Sequence, residues 1–245
     1  MSADLPEGFL LEPASRPSRV LFSQQWQDLA FIHWAVDPEV VAGLLPAGTY
    51  PDVFDGKSYV GLVPFLMRNV RWYRSGPVPY FGDFPETNVR LYSVDDAGRH
   101  GVVFCSLESS RLATTLVART GYQIPYTWAQ MRIARHGVRM RYVSTRRWPQ
   151  RGLESGVTID IGPRLAEPTS LDQFLTARWG LHAEVRGRTV WWPNWHAPWV
   201  LHEATATGLR QDLTTAAGLP ELGEPDVPTR WAPGVRTIFG PAEPI

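Results

Sequence analysis

Hydrophobic and polar residues alternate with a period of two along much of this chain, the pattern of half-buried β-strands. Residues 86–94 are the clearest case. Thr87, Val89 and Leu91 fall on one side, and Glu86, Asn88, Arg90 and Tyr92 on the other. Residues 31–36 read as a strand. So do residues 58–73, where Tyr59, Gly61, Val63 and Phe65 share a face and Pro64 implies an edge or a bulge. Further strands are expected at 101–107, at 189–195, and at 129–135 and 138–147 around a His136-Gly137 hairpin tip. Asp55-Gly56 and Asp95-Asp96-Ala97-Gly98 carry turn chemistry. Helical signals are short. Asp37-Pro38 supplies a cap and a first-turn proline for a helix ending at Leu45. Ser109 or Ser110 caps a second through about Arg119, closed by Gly121. Ser170-Leu171-Asp172-Gln173 reads as a capping box for a third through Arg178, and 209–217 forms a fourth. Residues 220–245 carry six prolines and are expected to be extended, with one or two edge strands.

These elements predict a strand-dominated α+β fold with three or four short helices. Closure of the sheet into a β-barrel would remove the many strand edges. Residues 20–240 read as a single domain behind a loose, polar, Pro-rich arm of residues 1–19. The 11 Trp and 10 Phe residues suffice either to fill a core or to wall an apolar cavity. A single cysteine, Cys105, excludes an internal disulfide and favours a reducing, cytoplasmic setting. No apolar run reaches the ~18 residues of a membrane span, and residues 1–20 lack the basic start and apolar run of a signal peptide. A net charge of zero argues against a general nucleic-acid binder. Charge is nevertheless unevenly placed: between Glu108 and Glu154 there are nine arginines and no acid. That asymmetry marks either an anion-binding surface or a solvated strand face balanced by acids elsewhere.

Candidate chemistry is concentrated on one strand. Glu86, Asn88 and Arg90 put a carboxylate, an amide and a guanidinium on one side, each about 6–7 Å from the next. Lining a barrel interior, they would offer proton transfer, orientation and a carboxylate anchor; facing water, they would be an ordinary amphipathic strand. No metal is expected: His202-Glu203 lacks a second histidine at helical spacing, and His196 and His202 have no shared signature. There is no nucleophile elbow and no Gly-rich phosphate loop. Cys105 sits in an apolar strand and reads as an inert thiol. Of 24 basic side chains only Lys57 is a lysine, and it follows a turn signal where desolvation is small.

Several segments, in order, resemble the YqjF-like family, a conserved group of unassigned function within the acetoacetate decarboxylase-like superfamily. They include Gln25-Trp26 with Phe31-Ile32-His33-Trp34, Phe54-Asp55-Gly56, Phe84 to Arg90, Ile124-Pro125-Tyr126, Phe174 to Trp179, His196 with Pro198-Trp199, and Trp231 to Val235. The resemblance implies a curved, mostly antiparallel sheet closing into an acetoacetate decarboxylase-like barrel around a small-molecule cavity. In the decarboxylases an arginine is followed six residues later by a proline and two lysines, one of which forms a Schiff base. Here Arg119 is followed by Pro125, Tyr126 and Thr127, so a phenol and a hydroxyl stand where the amines would be. Neither forms an imine, which removes amine catalysis and leaves the cavity. The glutamate of the family pattern corresponds to Glu86, and the resemblance favours an inward-facing Glu86, Asn88 and Arg90.

The expectation that follows is acid/base chemistry on a small organic acid or carbonyl compound, without a Schiff base and without a cofactor. Glu86 would be general acid or base and Tyr126 a donor to a developing oxyanion. Asn88, Arg90, Arg119 and His33 would bind the substrate. The alternative is a non-catalytic small-ligand-binding protein, because fold does not fix function. A weaker option uses the Arg-rich hairpin near 132–147 to meet an anionic partner. Homo-oligomers are compatible with the sequence; nucleic acid and membrane partners are not expected.

Overall fold

The computed structural model describes residues 4–13, 15–72, 76–77, 82–111 and 125–245. The expected helix through Arg119 falls outside these residues. The rest form a sheet of β1 (Phe22–Val36), β2 (Thr49–Pro51), β3 (Ser58–Trp72), β4 (Gly76–Pro77), β5 (Phe84–Asp95), β6 (His100–Ser109), β7 (Tyr126–His136), β8 (Arg139–Trp148), β9 (Glu154–Arg164), β10 (Gly180–Val185), β11 (Arg188–Trp195), β12 (His202–Gln211), β13 (Val227–Phe239) and β14 (Glu243–Pro244). Three short helices accompany them: α1 (Pro38–Ala42), α2 (Ser170–Thr176) and α3 (Leu213–Ala216).

The pairing closes a nine-strand barrel in the order β6-β7-β8-β9-β12-β13-β1-β3-β5 and back to β6. All but the β6–β7 pair are antiparallel. Its interior is packed with apolar side chains drawn from every strand of the ring, among them Ile32, Leu62, Leu91, Met140 and Ile159. Leu213 of α3 and Val41 of α1 join the same cluster. A second, smaller ring branches off the same wall. β10 pairs with β6, β11 with β10 and β13, and the strands β13, β1, β3, β5 and β6 serve both rings. Because side chains alternate across a sheet, each wall strand sends one set into the barrel and the other into the second enclosure. On β1 these are Ala30, Ile32 and Trp34 against Leu29, Phe31 and His33.

Two irregularities shape the wall. The β1–β3 register slips between the pairs Gln27↔Leu66 and Ile32↔Leu62, and Asp28 there has φ 51°. Pro64 lies opposite this slip, so the bulge reading of that proline is the correct one. The β5–β6 register slips between Val89↔Ser106 and Arg90↔Phe104. The extra residue, Cys105, turns Ser106 and Glu108 into the barrel. There Glu108 meets Arg146, whose Nε donates at 2.9 Å.

Several local expectations shift. The capping box of α2 is Thr169 with Asp172, one residue earlier than Ser170, because Thr169 is the residue that keeps extended backbone. Residues 209–211, expected as helix, extend β12 instead, their backbone engaged in pairing with β9. The Pro-rich end contains no mere edge strand at 227–239: β13 pairs with β1, β12 and β11. The arm is also anchored. Leu5 and Phe9 pack on the second core, Phe9 stacks on Phe174 at 5.8 Å, and Trp179 donates to the Leu10 carbonyl at 2.8 Å.

Candidate functional site

β5 carries the polar face into the second enclosure. Glu86 and Asn88 are buried, whereas Arg90 keeps partial exposure. The cross-strand partners on β3 are Phe65, Val63 and Gly61 respectively. Space at Gly61 is tight: a Cβ there would lie 3.1 Å from both Arg90 Cγ and His33 Nε2. The face is thus buried, but against the side of the wall away from the barrel core.

Glu86 accepts from the Tyr126 hydroxyl at 2.9 Å and from the Asn88 side chain. Burial pushes its carboxyl up to about 8, and those two hydrogen bonds oppose the shift only in part. No cation among the described residues contributes, and at neutral pH the group is mostly a protonated acid. Tyr126 is held far above its usual range by burial and by the Glu86 carboxyl. The Asn88 Oδ1 is buried without a partner.

Arg90 does not pair with Glu86. Its Nε and Nη2 donate to the Tyr92 hydroxyl at 3.1 and 2.9 Å, and Nη2 also to the Leu175 carbonyl at 2.9 Å. His33 Nε2 lies 2.7 Å from the same hydroxyl. Burial and the nearby Arg90 and Arg178 guanidinium groups push His33 well below its usual value, so it is neutral. His33, expected to touch substrate, therefore acts first on Tyr92, and through it on Arg90.

A second layer was not foreseen. Arg178 is buried among Phe9, Tyr92 and Phe174, with its ion pair to Asp52 and a bond to the Phe174 carbonyl at 2.8 Å. His196 sits between Trp26, Trp179 and Trp199, with burial pushing it down to about 4. Trp199 in turn packs edge-on against Phe31. Arg178 and Asp52 are 126 residues apart, so no local pattern could pair them. The only sequence signal was that Arg178, His196 and Trp199 fall in the resemblance segments. Arg119 lies outside the described residues. Lys57 sits exposed in the turn of the Phe54–Lys57 bridge, as expected, and burial raises the Cys105 thiol to about 12. Among the described residues, no group of three or more His, Cys, Asp or Glu could hold a metal ion, and no helix is long and apolar enough to cross a membrane.

Solved structures, an acetoacetate decarboxylase among them, share this strand-built fold and superpose on the chain. The enduracididine biosynthesis enzyme MppR, with HEPES buffer bound, gives a TM-score of 0.63 at 13% identity, covering 94% of this chain and 88% of that one. Acetoacetate decarboxylase from Legionella pneumophila also gives 0.63, at 12% identity over 98% and 91% of the two chains. These likenesses concern the fold. Sequence narrows the assignment further. The chain belongs to the DUF2071 family, described as an uncharacterized conserved protein, which it matches over residues 23–236. It is 30% identical over 239 residues to the uncharacterized protein YqjF of Bacillus subtilis (strain 168), covering 97% of this chain and 98% of that one.

Proposed function

We propose that the second enclosure is a chamber for a small organic acid or carbonyl compound, and that Glu86 gives or takes a proton there without a Schiff base. One observation carries the reading: a buried carboxyl that no cation among the described residues neutralises, held near pKa 8 and 2.9 Å from the Tyr126 hydroxyl. A group so poised exchanges protons near neutral pH. Tyr126 is the donor for oxygen charge that develops on the ligand. Arg90, whose Nη1 makes no bond to the described residues, anchors a carboxylate. Asn88 orients the ligand, and His33 fixes Arg90 through Tyr92. The missing amine directs any chemistry toward enolisation, decarboxylation or hydration steps driven by proton transfer.

The test is deuterium incorporation next to the carbonyl of a panel of oxo acids, followed by NMR. Wild-type protein should catalyse exchange, and Glu86→Gln should abolish it with the melting temperature retained. Thermal stabilisation by an oxo acid with no exchange at all would instead support the second reading, a non-catalytic binding protein. That reading draws on the closed hydrogen-bond set around Tyr92, which suits a fixed receptor as well as an enzyme. Absence of both signals would remove the small-molecule assignment.

A further inference from the structure

We propose that the uncovered outer face of β7, β8 and β9 docks an acidic polypeptide segment through Arg132, Arg139 and Arg141. This surface is separate from the chamber proposed above, so either assignment can fail without the other.

The barrel wall is double only in part. β13, β1, β3, β5 and β6 are shared with the second ring, whereas β7, β8 and β9 belong to the barrel alone. Alternation sends Met140, Tyr142, Val157 and Ile159 into the barrel core. It leaves Arg139, Arg141, Val143, Thr145 and Arg147 of β8 on the outside. The pairing register sets Arg132 beside Val143, Ala134 beside Arg141, and His136 beside Arg139. On the other flank of β8, Thr158 stands opposite Arg141 and Gly156 opposite Val143. Small side chains and arginines thus interleave across three strands. Together they line a shallow depression of about 560 Å³, into which another chain can lie close to the sheet.

The charge on this face is not balanced from within. Among the described residues, the ion pairs of the β7–β8 hairpin are Arg135 with Asp28, Arg139 with Asp160, and Arg146 with Glu108. Arg132 and Arg141 are exposed and have no acid against them. The acids of the same face are Asp160 and, at the other end of β9, Glu154. Arg139 shows how a carboxylate is taken here. Its Nε and Nη2 donate to the two Asp160 oxygens at 2.6 and 2.8 Å, while its side chain stays 62% exposed. Such a fork matches carboxylates from an acidic partner equally well. None of the side chains lining the depression is Phe, Tyr or Trp, so the stacking platform that single-stranded nucleic acid uses is missing. Two copies meeting on this face across a two-fold axis would set arginine against arginine, so the occupant is a different chain.

The experiment uses the full chain and a fluorescent peptide of alternating Glu and Ala. A Gln–Ala peptide and an oligothymidylate of equal charge serve as comparisons. Fluorescence anisotropy at low ionic strength should show the Glu peptide binding and the Gln peptide not, with affinity falling as salt is raised. Arg132→Gln combined with Arg141→Gln should weaken binding about tenfold, the worth of two exposed charge pairs, with the melting temperature retained. Arg188→Gln combined with Arg236→Gln removes the same charge from exposed positions on β11 and β13 and should leave binding unchanged. Equal losses in the two double variants would reduce the effect to overall charge and overturn the site. Tighter binding of the oligothymidylate than of the Glu peptide would overturn it too, as would no binding of the Glu peptide at low salt.

Discussion

The interior of the nine-strand barrel and the enclosure behind its wall draw on the same five strands, yet the polar residues they hold differ. Toward the barrel, β1, β3 and β5 present Ile32, Leu62 and Leu91. Toward the chamber, the same strands present His33, Gly61 and Arg90. A buried glutamate on each side of the wall is treated differently. Glu108, in the barrel, is neutralised by Arg146. Glu86, on the other side, has a phenol and an amide as its partners among the described residues and keeps its proton instead. The difference separates an ion-paired acid from a protonated one.

Breaking the barrel pair should have the largest effect. Arg146→Ala strands the Glu108 charge in a buried site, and a loss of about 3–5 kcal/mol is expected in urea unfolding. Ligand binding in the chamber, measured on whatever remains folded, should persist.

The chamber acid should show itself through pH. The folded protein holds a proton on Glu86 that the unfolded chain releases above about 4.5. Its contribution to stability is therefore fully present below pH 4.5, declines between, and is gone once pH passes about 8. Across the whole window this amounts to on the order of 5 kcal/mol. Glu86→Gln should flatten that slope, read from unfolding curves at several pH values. His196 imposes the opposite trend. Its folded value near 4 lies below the ordinary histidine value of 6.5, so its contribution is present above pH 6.5 and lost as pH falls through 4.

The smallest effect is expected at the wall itself. Gly61→Ala puts a methyl 3.1 Å from Arg90 and His33, a cost of about 1 kcal/mol as those chains adjust. Carboxylate binding should weaken more than stability does. Equal binding by wild type and variant would show that Arg90 is not the anchor.

Much of the wall could be read from the chain. The alternation in residues 86–94 separated Glu86, Asn88 and Arg90 from Val89 and Leu91, and the structure keeps that division. Alternation defines two sides of a strand, however, and does not say which enclosure each side meets. That depends on β10, β11 and α2, which reach the wall from distant parts of the sequence. Arg178 and Asp52 were missed for the same reason. The end of the chain was misjudged because proline density suggests an exposed edge; in β13, Pro228 and Pro233 fall at positions absent from the β1 pairing register, so the missing N–H groups break no bond there. The α2 cap was displaced by one residue because Ser170 and Thr169 are both competent caps, and only backbone conformation chooses between them.

The extra residue at Cys105 shows what the shared partition demands. One inserted position is enough to exchange the two sides of a strand for everything beyond it, and here it delivers Glu108 to a waiting guanidinium instead of to the ligand space. A single-residue insertion or deletion in β3 or β5 would exchange the two faces and drive Glu86 and Arg90 toward the barrel core. Single side chains on this partition can be exchanged one at a time, whereas the lengths of these strands are fixed by the two faces they serve.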